Sequence, residues 1–148
     1  MSNCPCTGEF GRSCQDPHEL QLKCEHQGTH ATFLELDIEV VNNIFVYKIY
    51  DKRDDFPFFI VRMPDLRGNI PLHVFYGSIL SEFLRIARAT LLYTDFLPRA
   101  ISLYSRMINQ GAGVQDMCKT IIKAINRHPM AFGKYKKTPQ GIVCDILK

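Results

Sequence analysis

Cysteine and histidine gather near the start of the chain, at Cys4, Cys6, Cys14, Cys24, His26 and His30. Zinc is usually gripped by a Cys-x2–4-Cys pair, because two ligands that close in sequence meet one tetrahedral ion from a turn. Cys4-Pro5-Cys6 is too tight for that pattern, and Cys14 and Cys24 stand alone in spacing. Only Cys24-x-His26 and His26-x3-His30 have usable separations. Reduced thiols in a flexible leader fit these residues better than a metal centre, since an intracellular compartment disfavours disulfides. Asp51, Asp54 and Asp55 form the second group, and clustered carboxylates are what magnesium chemistry requires. Neighbouring side chains on an extended backbone diverge, however, and Lys52 and Arg53 offset the local charge. A salt-bridged loop is the expectation there.

Nucleophilic chemistry finds less support. Cys118 falls on an apolar helical stripe, where a thiol behaves as a small core residue. His73 and His128 lie beside helix ends, and a helix C-terminus favours His128 as a cation. Neither a Ser–His–acid grouping nor a Gly-rich phosphate loop stands out. The expectation is a chain with no catalytic centre, no metal and no cofactor.

The basic residues are more regular. Residues 1–83 carry seven Lys/Arg against twelve Asp/Glu, a balance of −5, whereas residues 84–148 carry eleven against three, a balance of +8. Lys119, Lys123 and Arg127 repeat at i, i+4 spacing on one helical face, with Lys134, Lys136 and Lys137 just beyond. Such a face suits phosphate contacts, which give affinity without reading sequence. A merely solvated surface would interleave more acids. The candidate nucleic-acid contacts are Arg85, Arg88, Arg99, Arg106, Lys119, Lys123 and Arg127.

The elements that must position these residues begin with a hairpin. Phe33 to Val41 alternates, with Glu35, Asp37 and Glu39 on one face and Leu34, Leu36, Ile38 and Val40 on the other. Asn42-Asn43 tolerates the positive φ of a two-residue turn, and Ile44 to Tyr50 returns as a β-branched and aromatic strand. A short strand over residues 19–25 would complete a three-stranded antiparallel sheet. Phe56 to Val61 is intensely apolar, but Pro57 confines it to an edge strand or to a segment laid over the sheet.

Three helices are expected next. The first spans about residues 72–90, with Val74, Phe75, Ile79, Phe83, Ile86 and Ala87 inward. The second is capped by Thr94, carries an apolar stripe at Leu97, Ala100, Ile101, Tyr104, Met107 and Ile108, and ends at Gly111 and Gly113. The third covers about residues 114–127, with Val114, Met117, Cys118, Ile121, Ile122 and Ile125 inward, until Pro129 stops it. The fold class is therefore α+β, a small antiparallel sheet followed by a three-helix bundle. Its regions are a Cys-rich leader (1–16), a hairpin region (17–69), a helical domain (70–129) and a basic, turn-rich tail (130–148).

With 148 residues, a 46% hydrophobic fraction and a net charge of +3, the chain can support a core and is no candidate for wholesale disorder. No apolar run approaches the roughly 20 residues that span a bilayer. The N-terminus lacks the basic-then-apolar layout of a secretory signal. An intracellular protein, nuclear or cytoplasmic and without a membrane partner, is the expectation.

The words FLELDIEVVNNIFVYKIYDKRDDFPFFIV, GNIP, YGSILSEFLRIAR, DFLPRAISLYSRMINQG and RHP occur in that order. Over about residues 17–129 the chain resembles the C-terminal part of reverse transcriptases encoded by animal retroelements, of the non-LTR or Penelope-like kind. The resemblance implies the end of a palm, with the hairpin near the primer, and then an α-helical thumb that holds a template–primer duplex. The family's metal-binding aspartates lie upstream, in an early palm strand and in a Tyr-x-Asp-Asp turn. Tyr50 and Asp54-Asp55 do not restore that turn, because three residues separate Tyr50 from Asp54. No catalytic residue carries over, and polymerase activity is not expected of the chain alone. The resemblance implies a non-catalytic chain that binds an RNA–DNA or DNA duplex. The alternative is a protein-interaction module, self-associating through an exposed sheet surface, or a remnant without function.

Overall fold

The structure, a computed structural model, describes residues 28–58 and 63–148. The leader, the strand expected over residues 19–25, and residues 59–62 lie outside the described residues. Three strands, β1 (His30–Phe33), β2 (Leu36–Val41) and β3 (Ile44–Ile49), form an antiparallel sheet in sequence order. Five helices follow: α1 (Leu72–Arg88), α2 (Tyr93–Asn109), α3 (Val114–Arg127), α4 (Pro129–Phe132) and α5 (Pro139–Leu147). The class is α+β, with the sheet preceding the helices.

The hairpin forms where the sequence places it. Asn42 and Asn43 take φ of 50° and 63°, and Val41 faces Ile44 across the turn. The run Phe33 to Val41 is not one strand, however. Leu34 and Glu35 also take positive φ, 43° and 67°, so the chain folds back there and Phe33 pairs with Leu36. A left-handed conformation costs a residue with a Cβ about 1–2 kcal/mol, which makes a Leu-Glu turn a strained one. It is held by the Tyr50 amide, which donates to the Glu35 carbonyl at 2.8 Å. Each turn holds two residues, so the alternation shifts by one residue at each turn: odd positions of β1 and β3 face with even positions of β2. Leu36, Ile38 and Val40 share a face with Ile49, Tyr47 and Phe45, while Asp37 and Glu39 share the other with Lys48 and Val46. Glu35 belongs to a turn and not to that acidic strand face.

The helices carry the core. From α1 it takes Phe75, Ile79, Phe83, Leu84, Ile86 and Ala87, and from α2 Phe96, Ala100, Leu103 and Met107. Met117, Ile121, Ala124 and Ile125 come from α3. Val74 and Val114, expected inward, are 45% and 50% exposed, since each lies in the first turn of its helix. In α2 the buried arc is centred on Phe96, Ala100, Leu103 and Met107, so Ile101 stays at the surface. That helix begins at Tyr93, with Leu92 as its N-cap residue and no side-chain cap, rather than at Thr94. Gly111 ends it as expected. Its φ of 96° lets its amide reach the Ile108 carbonyl at 3.0 Å and the Ala112 amide reach Met107 at 3.0 Å, a Schellman closure.

The bundle is larger than three helices because residues 129–147 join it. Phe132, Tyr135, Ile142, Val143 and Ile146 are buried in the same core. The Phe96 ring stacks on Tyr135 at 4.8 Å between centroids, and Phe83 stacks on Phe132 at 5.3 Å. The buried Tyr135 hydroxyl is shared between the Ala87 and Thr90 carbonyls at 3.1 and 2.9 Å, closing the C-terminal end of α1. Helix α5 is capped by Thr138, whose hydroxyl accepts from the Gly141 amide at 3.1 Å, and Pro139 fills the position where the missing amide costs nothing.

The sheet meets the helices at one end only. Ile49 is buried in the core, and the Leu91 amide donates to the Tyr47 carbonyl at 2.9 Å. At the far end Ile44 and Phe45 are 63% and 68% exposed, and even at the docked end Phe33 and Leu34 are 62% and 78% exposed.

Candidate nucleic-acid interface

Helices α1 and α2 bring Arg85, Arg99 and Arg106 to the walls of one narrow cleft with Asp51 and Glu82, a space of about 30 Å³, room for a single water. Its cations are matched by carboxylates. Arg85 forks onto Glu82 one turn earlier, with Nε to Oε2 at 2.9 Å and Nη2 to Oε1 at 2.7 Å. Its remaining edge, Nη1, donates to Glu35 Oε2 at 2.8 Å. Hydrogen bonding to Glu82, reinforced by the charges of Glu82 and Glu35, lifts the Arg85 pKa further above its ordinary value. Arg99 pairs with Asp54, contributed by the 3-10 helix Lys52–Asp55.

The acids of the Asp51–Asp55 loop diverge onto separate partners, but from a 3-10 turn and not the extended backbone expected. Asp54 turns to Arg99, while Asp55 accepts from the Tyr50 hydroxyl, which raises the Tyr50 pKa. Among the described residues no three His, Cys, Asp or Glu side chains are placed to hold a metal ion. His30 pairs with Asp37 across β1 and β2. Cys118 is half-buried against the core and Cys144 is exposed.

Arg88 is exposed and lines, with Leu34, Glu35, Tyr47 and Leu84, a groove of about 480 Å³ between the strained turn and α1. Arg106 also borders a second groove, of about 640 Å³, with Arg67, Asn109 and Gln110. Arg67 is already bound there, donating to Asp65 at 2.6 and 3.0 Å, and these bonds hold the Asp65 carboxyl down to about 2.

The cations of α3 are different. Lys119, Lys123 and Arg127 all lie on its exposed face, opposite Met117, Ile121, Ala124 and Ile125. Lys119 reaches Asp116 at 3.6 Å, a loose, exposed pair worth little. Lys123 and Arg127 make no ion pair with a described residue. Eight residues of helix set Lys119 and Arg127 about 12 Å apart, with Lys123 midway.

Beyond α3 Lys136 is exposed, while Lys134 and Lys137 lie against aromatic rings. The Lys134 ammonium lies over the rings of Tyr47 and Tyr135, 5.8 and 5.2 Å from their centroids, and its pKa is lowered by burial. Lys137 sits over the Tyr93 ring at 4.5 Å and bonds Asp145 at 2.6 Å. The seven candidate residues thus divide into two groups. Arg85, Arg88, Arg99 and Arg106 sit near the docked end of the sheet, and Lys119, Lys123 and Arg127 on the outer face of α3. The missing half of the first group's chemistry was Glu35 and Asp54, whose pairing with arginines far along the chain leaves no local signal in the sequence.

No family model matches the chain, nor does any curated protein or solved structure. Among the described residues no helix is long and apolar enough to cross a membrane.

Proposed function

We propose that the chain is a non-catalytic, thumb-like relative of retroelement reverse transcriptases that binds nucleic acid, an RNA–DNA or DNA duplex, through the outer face of α3. The observation that carries this reading is the exposed row Lys119, Lys123 and Arg127, one helical turn between neighbours, with Asp116 as its one paired acid among the described residues. Three cations in a row meet a phosphate backbone without needing any base contact, so affinity would be non-specific and salt-dependent. The order of words shared with the family supplies the ancestry, and the sheet-then-helices order agrees with the end of a palm followed by a thumb. An intracellular site, nuclear or cytoplasmic, follows from that partner. The chain would not extend a primer, and a primer-extension assay would give no product. Binding of an RNA–DNA duplex across a range of salt, with Lys119→Glu and Lys123→Glu introduced together, tests the reading.

A second reading is favoured by one feature of the sheet. Phe33 and Leu34 at one end, and Ile44 and Phe45 at the other, are largely exposed on so small an element, and exposed apolar surface marks sites of association. In that reading the chain is a protein-interaction module or self-associates through the sheet. A chain that stays monomeric at high concentration would argue against it.

A further inference from the structure

We infer that the sheet is a detachable acidic cap, in which Glu35 and Asp54 occupy Arg85 and Arg99 in place of phosphate and so regulate how much basic surface the helices offer. This rests on the proposal that the helices bind nucleic acid.

Two carboxylates from different parts of the chain, the β1–β2 turn and the 3-10 helix after β3, converge on two arginines of α1 and α2. They arrive together because the Tyr50 amide, just before that 3-10 helix, is bonded to the Glu35 carbonyl at 2.8 Å. Arg85 has already spent its Nε–Nη2 edge on Glu82 within its own helix, and Nη1, which a phosphate oxygen would take, is the nitrogen that Glu35 covers. Arg99 keeps 35% of its side chain exposed beside Asp54. Neither pair is buried, so each is exchangeable for a stronger anion.

The turn itself points the same way. Leu34 and Glu35 adopt φ of 43° and 67°, where Asn or Gly is the usual choice, and the Asn42-Asn43 turn at the other end of β2 shows the unstrained alternative. A strained position of this kind persists when something else fixes it. Here the Tyr50 amide on the Glu35 carbonyl and the Glu35 carboxylate on Arg85 do so together, each at 2.8 Å.

The attachment is slight enough to release. Among the side chains of β1, β2 and β3 only Ile49 is buried, and Leu91 N–H to Tyr47 C=O is the backbone bond from the sheet to the helix region. Few buried apolar contacts mean a low-stability unit, which opens before the helices do.

The test uses the full chain and a fluorescent RNA–DNA duplex at about 50 mM salt. Glu35→Gln and Asp54→Asn each remove one negative charge, and Glu39→Gln, on the exposed side of β2, removes the same charge from a residue that covers neither arginine. Each of the first two should tighten binding about two- to fivefold, and Glu39→Gln should fall clearly short of both. Binding by the wild type with equal shifts in all three variants would overturn the cap and leave the α3 reading standing. No binding by any of the four chains would remove both. Binding by Glu35→Gln and Asp54→Asn alone would support the cap in its strongest form. Hydrogen exchange gives a second measurement: saturating duplex should speed exchange of the Leu91 amide, and slower or unchanged exchange there would count against release of the sheet.

Discussion

The Tyr93 hydroxyl donates to the Asp145 carboxylate at 2.8 Å, joining the first residue of α2 to the last turn of α5 across 52 positions of sequence. Lys137 and Lys148 reach the same carboxylate at 2.6 and 3.2 Å, and 18% of the Asp145 side chain is exposed. Lys137 first, then Tyr93 and Lys148, hold the Asp145 carboxyl well below the usual carboxylate range. A pKa depressed in the folded state gives stability that is present above the unfolded value, about 3.9, and is lost as pH falls further. Asp145→Asn should therefore lower stability at pH 7, and its gap from the wild type should narrow below about pH 4. Urea unfolding across that range checks this. A gap that does not change with pH would contradict it.

The aromatic cluster should be the costliest place to cut. Phe96 is fully buried and touches Phe83, Tyr93, Phe132 and Tyr135, with centroids 4.8–6.2 Å away. Phe96→Ala should cost about 3–5 kcal/mol, measured by denaturant titration. Ile101→Ala, on the same helix but 36% exposed, should cost far less.

Tyr135→Phe isolates a polar effect from a packing one. The ring stays, but the Ala87 and Thr90 carbonyls lose their shared donor. A loss of about 1–3 kcal/mol is expected, because buried acceptors are left without a partner. An unchanged midpoint would show that water reaches those carbonyls.

Helix α5 should depend on its first residues. Thr138→Ala removes the acceptor for the Gly141 amide and should cost about 0.5–2 kcal/mol. Thr138→Ser keeps the oxygen and should cost little.

These elements also show what the sequence could disclose. The Asn42-Asn43 turn was readable because asparagine tolerates positive φ, and β2 and β3 because their alternation matches a sheet with two unlike faces. The Leu34-Glu35 turn was not, since neither residue favours that conformation and the apolar–acidic alternation from Leu34 to Val40 runs straight through it. In α2 the apolar arc is wide, from Phe96 and Leu97 round to Tyr104 and Ile108, so periodicity could not fix which line through it faces the core. Tail residues 130–148 read as basic and turn-rich, yet Thr138-Pro139 is a cap followed by a favoured first residue, a start signal for α5 present in the sequence. Of the candidate interface, the α3 row was readable in full because it depends on helical spacing alone. The arginines of α1 and α2 were not, because their acidic partners come from the sheet.

Under the proposed function Lys119, Lys123 and Arg127 meet phosphate. The direct measurement is the slope of log affinity against log salt for an RNA–DNA duplex, in the wild type and in Lys119→Glu with Lys123→Glu. Three phosphate contacts predict a slope of about −2 to −3, and the double variant should bind weakly with a slope shallower by about 2. A wild type whose affinity ignores salt, or a double variant that binds as the wild type does, would contradict the claim.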